Sequence, residues 1–312
     1  MTERPRALTS VLAAIGNTPV VRLRKLVDDQ CADVFVKLEW MNPGGSVKDR
    51  MALAVIEDAR KSGRLRPGDI AICADSGNFA ISLAMVCAVI GQRLLLVMPD
   101  DVAAERKSIL RAYGVELRYT EARLGHAGAQ DVVRTLCADN PGAYFELRPH
   151  DSGAVVTAYE AGLGAEIVDQ MAGQLDVFVS GVGTGATLTG VGRALRDAIA
   201  DCDIVAVEPA ESPVMAGGNA GVHGIIGIGP GFVPPLLDRK LIDSVRQVST
   251  AQAYACARDV ARREGVLVGI SSGANIAAAI AVARERGPGH RVLTVSASCG
   301  ERYLHTPLYR EG

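Results

Sequence analysis

Short runs of β-branched and other apolar residues alternate along the chain with longer segments in which apolar positions recur every three to four residues. The runs at 33–38, 69–73, 93–98, 115–119, 177–180, 203–207 and 291–295 predict strands. The segments at 47–63, 79–91, 102–113, 126–139, 153–172, 186–199, 250–264 and 273–286 predict helices. Strict alternation of this kind implies an α/β protein in which parallel sheets are flanked by helices. Ligands in such folds sit beyond the carboxyl ends of strands, where loops meet helix N-termini. Several glycine-rich stretches fall at those positions.

Composition narrows the class of ligand. The chain has 312 residues, 48% of them hydrophobic and 34 of them glycine, enough to bury a large core in one or two domains. Its 33 basic and 35 acidic residues are interspersed and leave a formal charge of -2, so no electrostatic surface for nucleic acid or membrane is expected. A small molecule is the expected partner. Seven cysteines are scattered without CxxC spacing, which argues against a disulfide framework and fits a reducing, cytoplasmic setting. The start Met1-Thr-Glu-Arg-Pro-Arg6 has no apolar core of a secretion signal, and no run of about 18 uncharged apolar residues occurs. The five histidines show no ligand spacing, so no metal site is expected.

The chemistry concentrates at Lys48. It follows the turn formers Asn42, Pro43, Gly44 and Gly45, with Ser46 placed to cap a helix and Asp49 as its capping-box partner. Lys48 therefore falls in the first turn, where the helix dipole disfavours a cation and lowers the pKa toward a free amine. A free amine is what Schiff-base chemistry requires. Taken alone, a lysine near a helix start reads first as a solvated surface residue.

Three other loops open helices. Gly181-Val-Gly-Thr-Gly-Ala-Thr187 could hold a phosphate on successive amides or be only a tight turn; it lacks the lysine of a Walker loop and the third glycine of a dinucleotide fingerprint. Asp75-Ser-Gly-Asn-Phe79 and Ile270-Ser-Ser-Gly273 each read locally as helix caps.

Together these motifs resemble the cysteine synthase (O-acetylserine sulfhydrylase) family. Lys37-Leu-Glu-Trp-Met-Asn-Pro-Gly-Gly-Ser-Val-Lys-Asp-Arg50 is similar to the family's cofactor-lysine segment. The resemblance runs from about Ile15 to Tyr303. It implies two parallel-sheet α/β domains of the tryptophan synthase β-like, fold type II, pyridoxal phosphate enzymes. The smaller domain, 41–152, would be inserted into a larger one built from 1–40 plus 153–312. The cofactor implied is pyridoxal 5'-phosphate, and the family usually forms homodimers. Lys48 would bond to the cofactor and serve as catalytic base. Gly181, Gly183, Thr184, Gly185 and Thr187 would hold the phosphate, Asn78 the ring hydroxyl and Ser271 the ring nitrogen. A neutral serine there weakens the ring as an electron sink, which suits β-elimination and addition. The substrate would meet Asp75, Ser76, Gly77, Asn78 and Phe79, with Arg148 and Gly227 nearby.

The implied reaction is β-replacement on an activated L-serine such as O-acetyl-L-serine, through an aminoacrylate. The chain departs from the family where the substrate would sit. Asp75 and Phe79 replace threonines, Ala80 replaces a glycine, and Arg148-Pro149-His150 replaces a glutamine-containing segment. Asp75 would repel a carboxylate or pair with a cationic group, while Phe79 would remove a hydroxyl and add bulk. These departures point to a non-standard donor or nucleophile, as in synthases of diaminopropionate or cystathionine. The other reading they allow is a catalytically weak, cofactor-binding partner protein.

Overall fold

The computed structural model describes residues 7–310, so the reading of Met1–Arg6 lies outside it. The chain divides into two units: the described residues up to Asn17 with Asn42–Pro149, and Thr18–Met41 with the described residues from His150 on. Assignment of 1–40 to the larger unit therefore needs correcting at its start. The turn Val11–Ala14 packs on a helix of the smaller unit, and the Gly16 amide donates to Asn42 Oδ1 at 2.8 Å.

In chain order the elements are β1 (Val20–Arg22), β2 (Asp33–Leu38), α1 (Lys48–Lys61), β3 (Ile70–Ala74), α2 (Asn78–Ile90), β4 (Arg93–Pro99) and α3 (Ala104–Ala112). There follow β5 (Glu116–Thr120), α4 (Gly125–Asp139), β6 (Tyr144–Glu146), α5 (Gly153–Ala158), α6 (Ala165–Gln170) and β7 (Val177–Gly181). The last are α7 (Ala186–Ala198), β8 (Asp203–Pro209), β9 (Ser244–Val248), α8 (Thr250–Asp259), α9 (Ile270–Arg286) and β10 (Arg291–Ser296). A π turn, Tyr159–Gly164, joins α5 to α6.

The smaller unit carries a parallel sheet of order β5-β4-β3-β6. Leu94 to Met98 of β4 are all buried, which is why this strand reads as an unbroken apolar run. Ile72, Leu95, Val97, Ala129 and Val133 form the core between sheet and α4. Helix α2 is buried from Phe79 to Cys87, so its sequence shows almost no polar face.

The larger unit carries the order β1-β2-β10-β7-β8-β9. Every pair is parallel except β1–β2, where the short edge strand β1 adds antiparallel. The residues between Arg22 and Asp33 are too few for a crossover of about a dozen residues or more, so the strands must run antiparallel. Helix α9 packs on β10 and β7, placing Ala274, Ile276, Ala279 and Ala283 in a core with Val34, Val177, Val205 and Val292.

One buried charge organises this sheet. Lys37, fully buried on β2, donates through Nζ to Thr18 O at 2.6 Å, Glu166 Oε2 at 2.7 Å and Gln170 Oε1 at 2.8 Å. Glu166 and Gln170 lie on α6, so the ion pair ties that helix to the sheet.

Candidate active site

In the smaller unit, Lys48 is the first residue of α1. The turn before it closes with Gly45 N–H to Asn42 O at 2.7 Å, Gly45 taking a positive φ of 78°. Ser46 Oγ accepts the Lys48 N–H at 3.2 Å, but Asp49 does not complete a capping box. Asp49 is fully buried: Oδ2 accepts the Gly44 N–H at 2.5 Å and Oδ1 accepts the Ser82 hydroxyl of α2. Tertiary partners thus outbid the local cap. The Lys48 side chain is half-buried, and desolvation pushes its amine below the usual lysine range. The Asp75 carboxylate acts in the opposite direction, which places its charge within electrostatic reach of that amine.

Asp75 follows the carboxyl end of β3. Its Oδ1 accepts the N–H groups of Gly77 at 2.8 Å and Ala80 at 2.9 Å, capping α2. Asn78 is the first residue of α2 and, with Ser76 and Gly77, is half-buried. Phe79 is only 5% exposed and belongs to the core face of α2. Arg106 was not foreseen. Its Nη1 donates to Ser76 O at 3.0 Å, and a cation in the first turn of α3, against the helix dipole, was the available signal. Arg148 is an exposed residue held on Glu146, with Nε to Oε2 at 2.9 Å.

In the larger unit, the loop after β7 is fixed from three sides. Gly181 N–H donates to Asn275 Oδ1 at 2.8 Å, Val182 N–H to Val207 O at 3.1 Å, and Gly229 N–H to Val182 O at 2.9 Å. Asn275 in turn donates to Val295 O at 2.8 Å, a buried support that the sequence did not single out. Gly185, with φ of 83°, is the N-cap of α7, and a Cβ there would meet Leu237 at 2.7 Å. Among the described residues, no protein acceptor takes the N–H groups of Gly183, Thr184, Gly185 or Thr187. Bare amides at a helix N-terminus, with no side chain between them, fit a phosphate.

Gly227, with φ of 105°, passes so close to Ser271 that a Cβ would lie 3.4 Å from Ser271 Oγ. Ser271 is buried in the first turn of α9. His223 steadies this passage, accepting the Ile225 N–H on Nδ1 at 3.2 Å, which leaves Nε2–H to donate to Gly229 O at 2.8 Å. The larger unit therefore brings Gly181, Gly183, Gly227 and Ser271 together, and the smaller unit brings Lys48, Asp75 and Asn78 onto adjoining helix starts.

The family description "Pyridoxal-phosphate dependent enzyme" matches residues 11–298. The chain belongs to this family. Within it the chain is cysteine synthase-like: it is 45% identical over 310 residues to a cysteine synthase of Staphylococcus aureus strain N315, covering 99% of each chain. A solved cysteine synthase from Entamoeba histolytica superposes with a TM-score of 0.95 at 37% identity, covering 100% of this chain and 94% of that one. A solved O-ureido-L-serine synthase superposes with a TM-score of 0.93 at 40% identity, covering 98% of both.

Each unit by itself carries groups that suit a pyridoxal phosphate cofactor: a desolvated lysine amine in the smaller unit, and a neutral buried serine hydroxyl with a side-chain-free amide cradle in the larger. Gly183→Ala is expected to weaken cofactor affinity at least about tenfold, because the added Cβ would press into Gly227 O. Fluorescence titration of the stripped enzyme with pyridoxal phosphate measures this.

Proposed function

We propose that the chain catalyses pyridoxal phosphate-dependent β-replacement on an O-activated L-serine, with O-acetyl-L-serine as the reference donor. The observation that carries this reading is the desolvated amine of Lys48 at the start of α1. When bound, the cofactor supplies the electron sink that weakens the Cα–H and Cβ–O bonds of the amino acid. The protein supplies the rest.

Lys48 Nζ would hold the cofactor's aldehyde carbon, the amides of Gly183, Thr184, Gly185 and Thr187 its phosphate, Asn78 its ring hydroxyl and Ser271 its ring nitrogen. Burial lowers the proton affinity of Lys48, and its amine is the group that would take a proton from the substrate's Cα and return it. The rigid support of Gly181 by Asn275, and of Gly229 by His223, keeps the cradle from shifting as charge moves. Asp75, Ser76, Gly77, Asn78, Phe79, Arg148 and Gly227 are the proposed substrate residues; Phe79 would act through packing, since it is buried.

The working form is proposed to be a cytoplasmic homodimer acting on small molecules. Exposed apolar side chains at Val222, Ile226 and Phe232 support a subunit contact, and the buried free thiols of Cys31, Cys73, Cys87 and Cys202 suit a reducing compartment. No helix of the described residues is long and apolar enough to cross a membrane.

Purified enzyme incubated with O-acetyl-L-serine in D2O should exchange the Cα proton, as followed by proton NMR. Lack of exchange together with lack of visible cofactor absorbance would defeat the reading.

A further inference from the structure

The Asp75 carboxylate brings more to its loop than the fold requires. Capping α2 occupies Oδ1 alone, and an asparagine, serine or threonine would provide an equivalent acceptor. Oδ2 accepts no hydrogen bond from the protein among the described residues, and the side chain is half-exposed. Asp75 caps the start of α2, and α2 packs on α1, whose first residue is Lys48 and whose Asp49 bonds Ser82 of α2, so the charge lies on the helix start adjoining the residue assigned to the chemistry. The peptide bearing it is held firm, with Gly77 N–H on Oδ1 and the Arg106 guanidinium on Ser76 O.

An ionised carboxylate only accepts hydrogen bonds. A group that docks on Oδ2 must therefore donate a proton or carry positive charge, and an anion arriving there meets like-charge repulsion. Hydrosulfide, the nucleophile that makes cysteine, is such an anion. A nitrogen nucleophile bearing N–H is not.

We propose that Asp75 is a specificity-determining residue that favours an N–H-bearing nitrogen nucleophile over sulfide in the β-replacement. The proposal rests on the β-replacement reading of Lys48. In the net reaction the nitrogen lone pair forms the N–Cβ bond, and the Cβ–O bond breaks with its electron pair leaving on the carboxylate leaving group. The proton lost by nitrogen passes to Asp75 Oδ2 and from there to water.

Asp75→Asn tests this cleanly, because the amide oxygen keeps the cap and only the charge is removed. Holoenzyme is given O-acetyl-L-serine with 1,2,4-triazole, a neutral N–H nucleophile that spares both cofactor and ester, and sulfide in competition, and the products are quantified by mass spectrometry. The ratio of nitrogen to sulfur product is expected to fall at least about tenfold in Asp75→Asn, as for the loss of a charge-assisted contact. Asp75→Thr, which also keeps a capping oxygen, should fall in parallel. Cofactor-free Asp75→Asn should melt with the native protein, whereas Asp75→Ala, lacking the cap, should melt lower.

An unchanged product ratio in Asp75→Asn, with Cα exchange intact, overturns the proposal alone. So does a change confined to the KM of O-acetyl-L-serine, which would assign Asp75 to the donor. Absence of Cα exchange in the native enzyme overturns the β-replacement reading and this proposal with it.

Discussion

Lys48→Ala is expected to lower kcat/KM at least about a thousandfold, a loss of about 4 kcal/mol of transition-state stabilisation. It should also abolish the visible absorbance of bound cofactor. Both effects follow from one atom, since Nζ is the group that would hold the cofactor and then act at Cα. The fold should survive, because the elements around Lys48 are tied by other residues. Gly44 and Ser82 are joined through Asp49, and Ser46 receives only the backbone N–H of Lys48. Removing a desolvated amine relieves a cost, so the melting temperature should hold or rise. Lys48→Arg should be equally inactive, as a guanidinium stays protonated. Absorbance spectra, steady-state rates and melting curves of the three proteins check this. Retention of the visible band in Lys48→Ala would remove the lysine from its assigned role.

The second large effect concerns stability. Glu166→Ala should cost about 3 kcal/mol, because it leaves the Lys37 ammonium buried without the carboxylate that faces it. The contacts to Thr18 O and Gln170 Oε1 are to neutral oxygens and do not replace that carboxylate's charge. Lys37→Met should cost less, since removal of the cation also removes the need to neutralise it. Urea unfolding followed by the fluorescence of Trp40 measures the effect in the larger unit. Trp40 is the chain's single tryptophan and packs on that unit's core. If Glu166→Ala unfolds at the same urea concentration as the native chain, the ion pair is not what ties α6 to the sheet.

The longer elements were legible because their burial is complete and periodic. β4 and α2 carry almost nothing but apolar residues, and the glycine-rich loops stand where strands end. β1 and β6, each three residues long, offer too few positions for a period to show. β9 is a half-exposed edge strand whose Arg246 and Gln247 interrupt its apolar positions. Side-chain partners were least legible of all. Asp49 looked like a capping-box residue, yet it bonds Ser82, 33 positions away, a choice made by the packing of α1 on α2. Arg148, a proposed substrate residue, also pairs with Glu146 two residues before it, a contact its position in the sequence does not announce. Asp75 shows both sides of the matter: its departure from the family was visible in the sequence, whereas the split between a capping oxygen and an unengaged one required coordinates.

The π turn at Tyr159–Gly164 lies against α7, the helix whose first turn forms the amide cradle. At this crossing a Cβ on Gly190 would collide with Val156 O and Glu160 N at 2.7 and 2.8 Å, and one on Gly164 with the Cβ of Ala194 at 2.5 Å. Backbone and Cβ atoms line this crossing, and no rotamer change moves either. Mutational drift can therefore alter the cradle from behind: a single added methyl at Gly190 would tilt α7 and re-aim every amide at its tip, while the loop sequence itself stays intact.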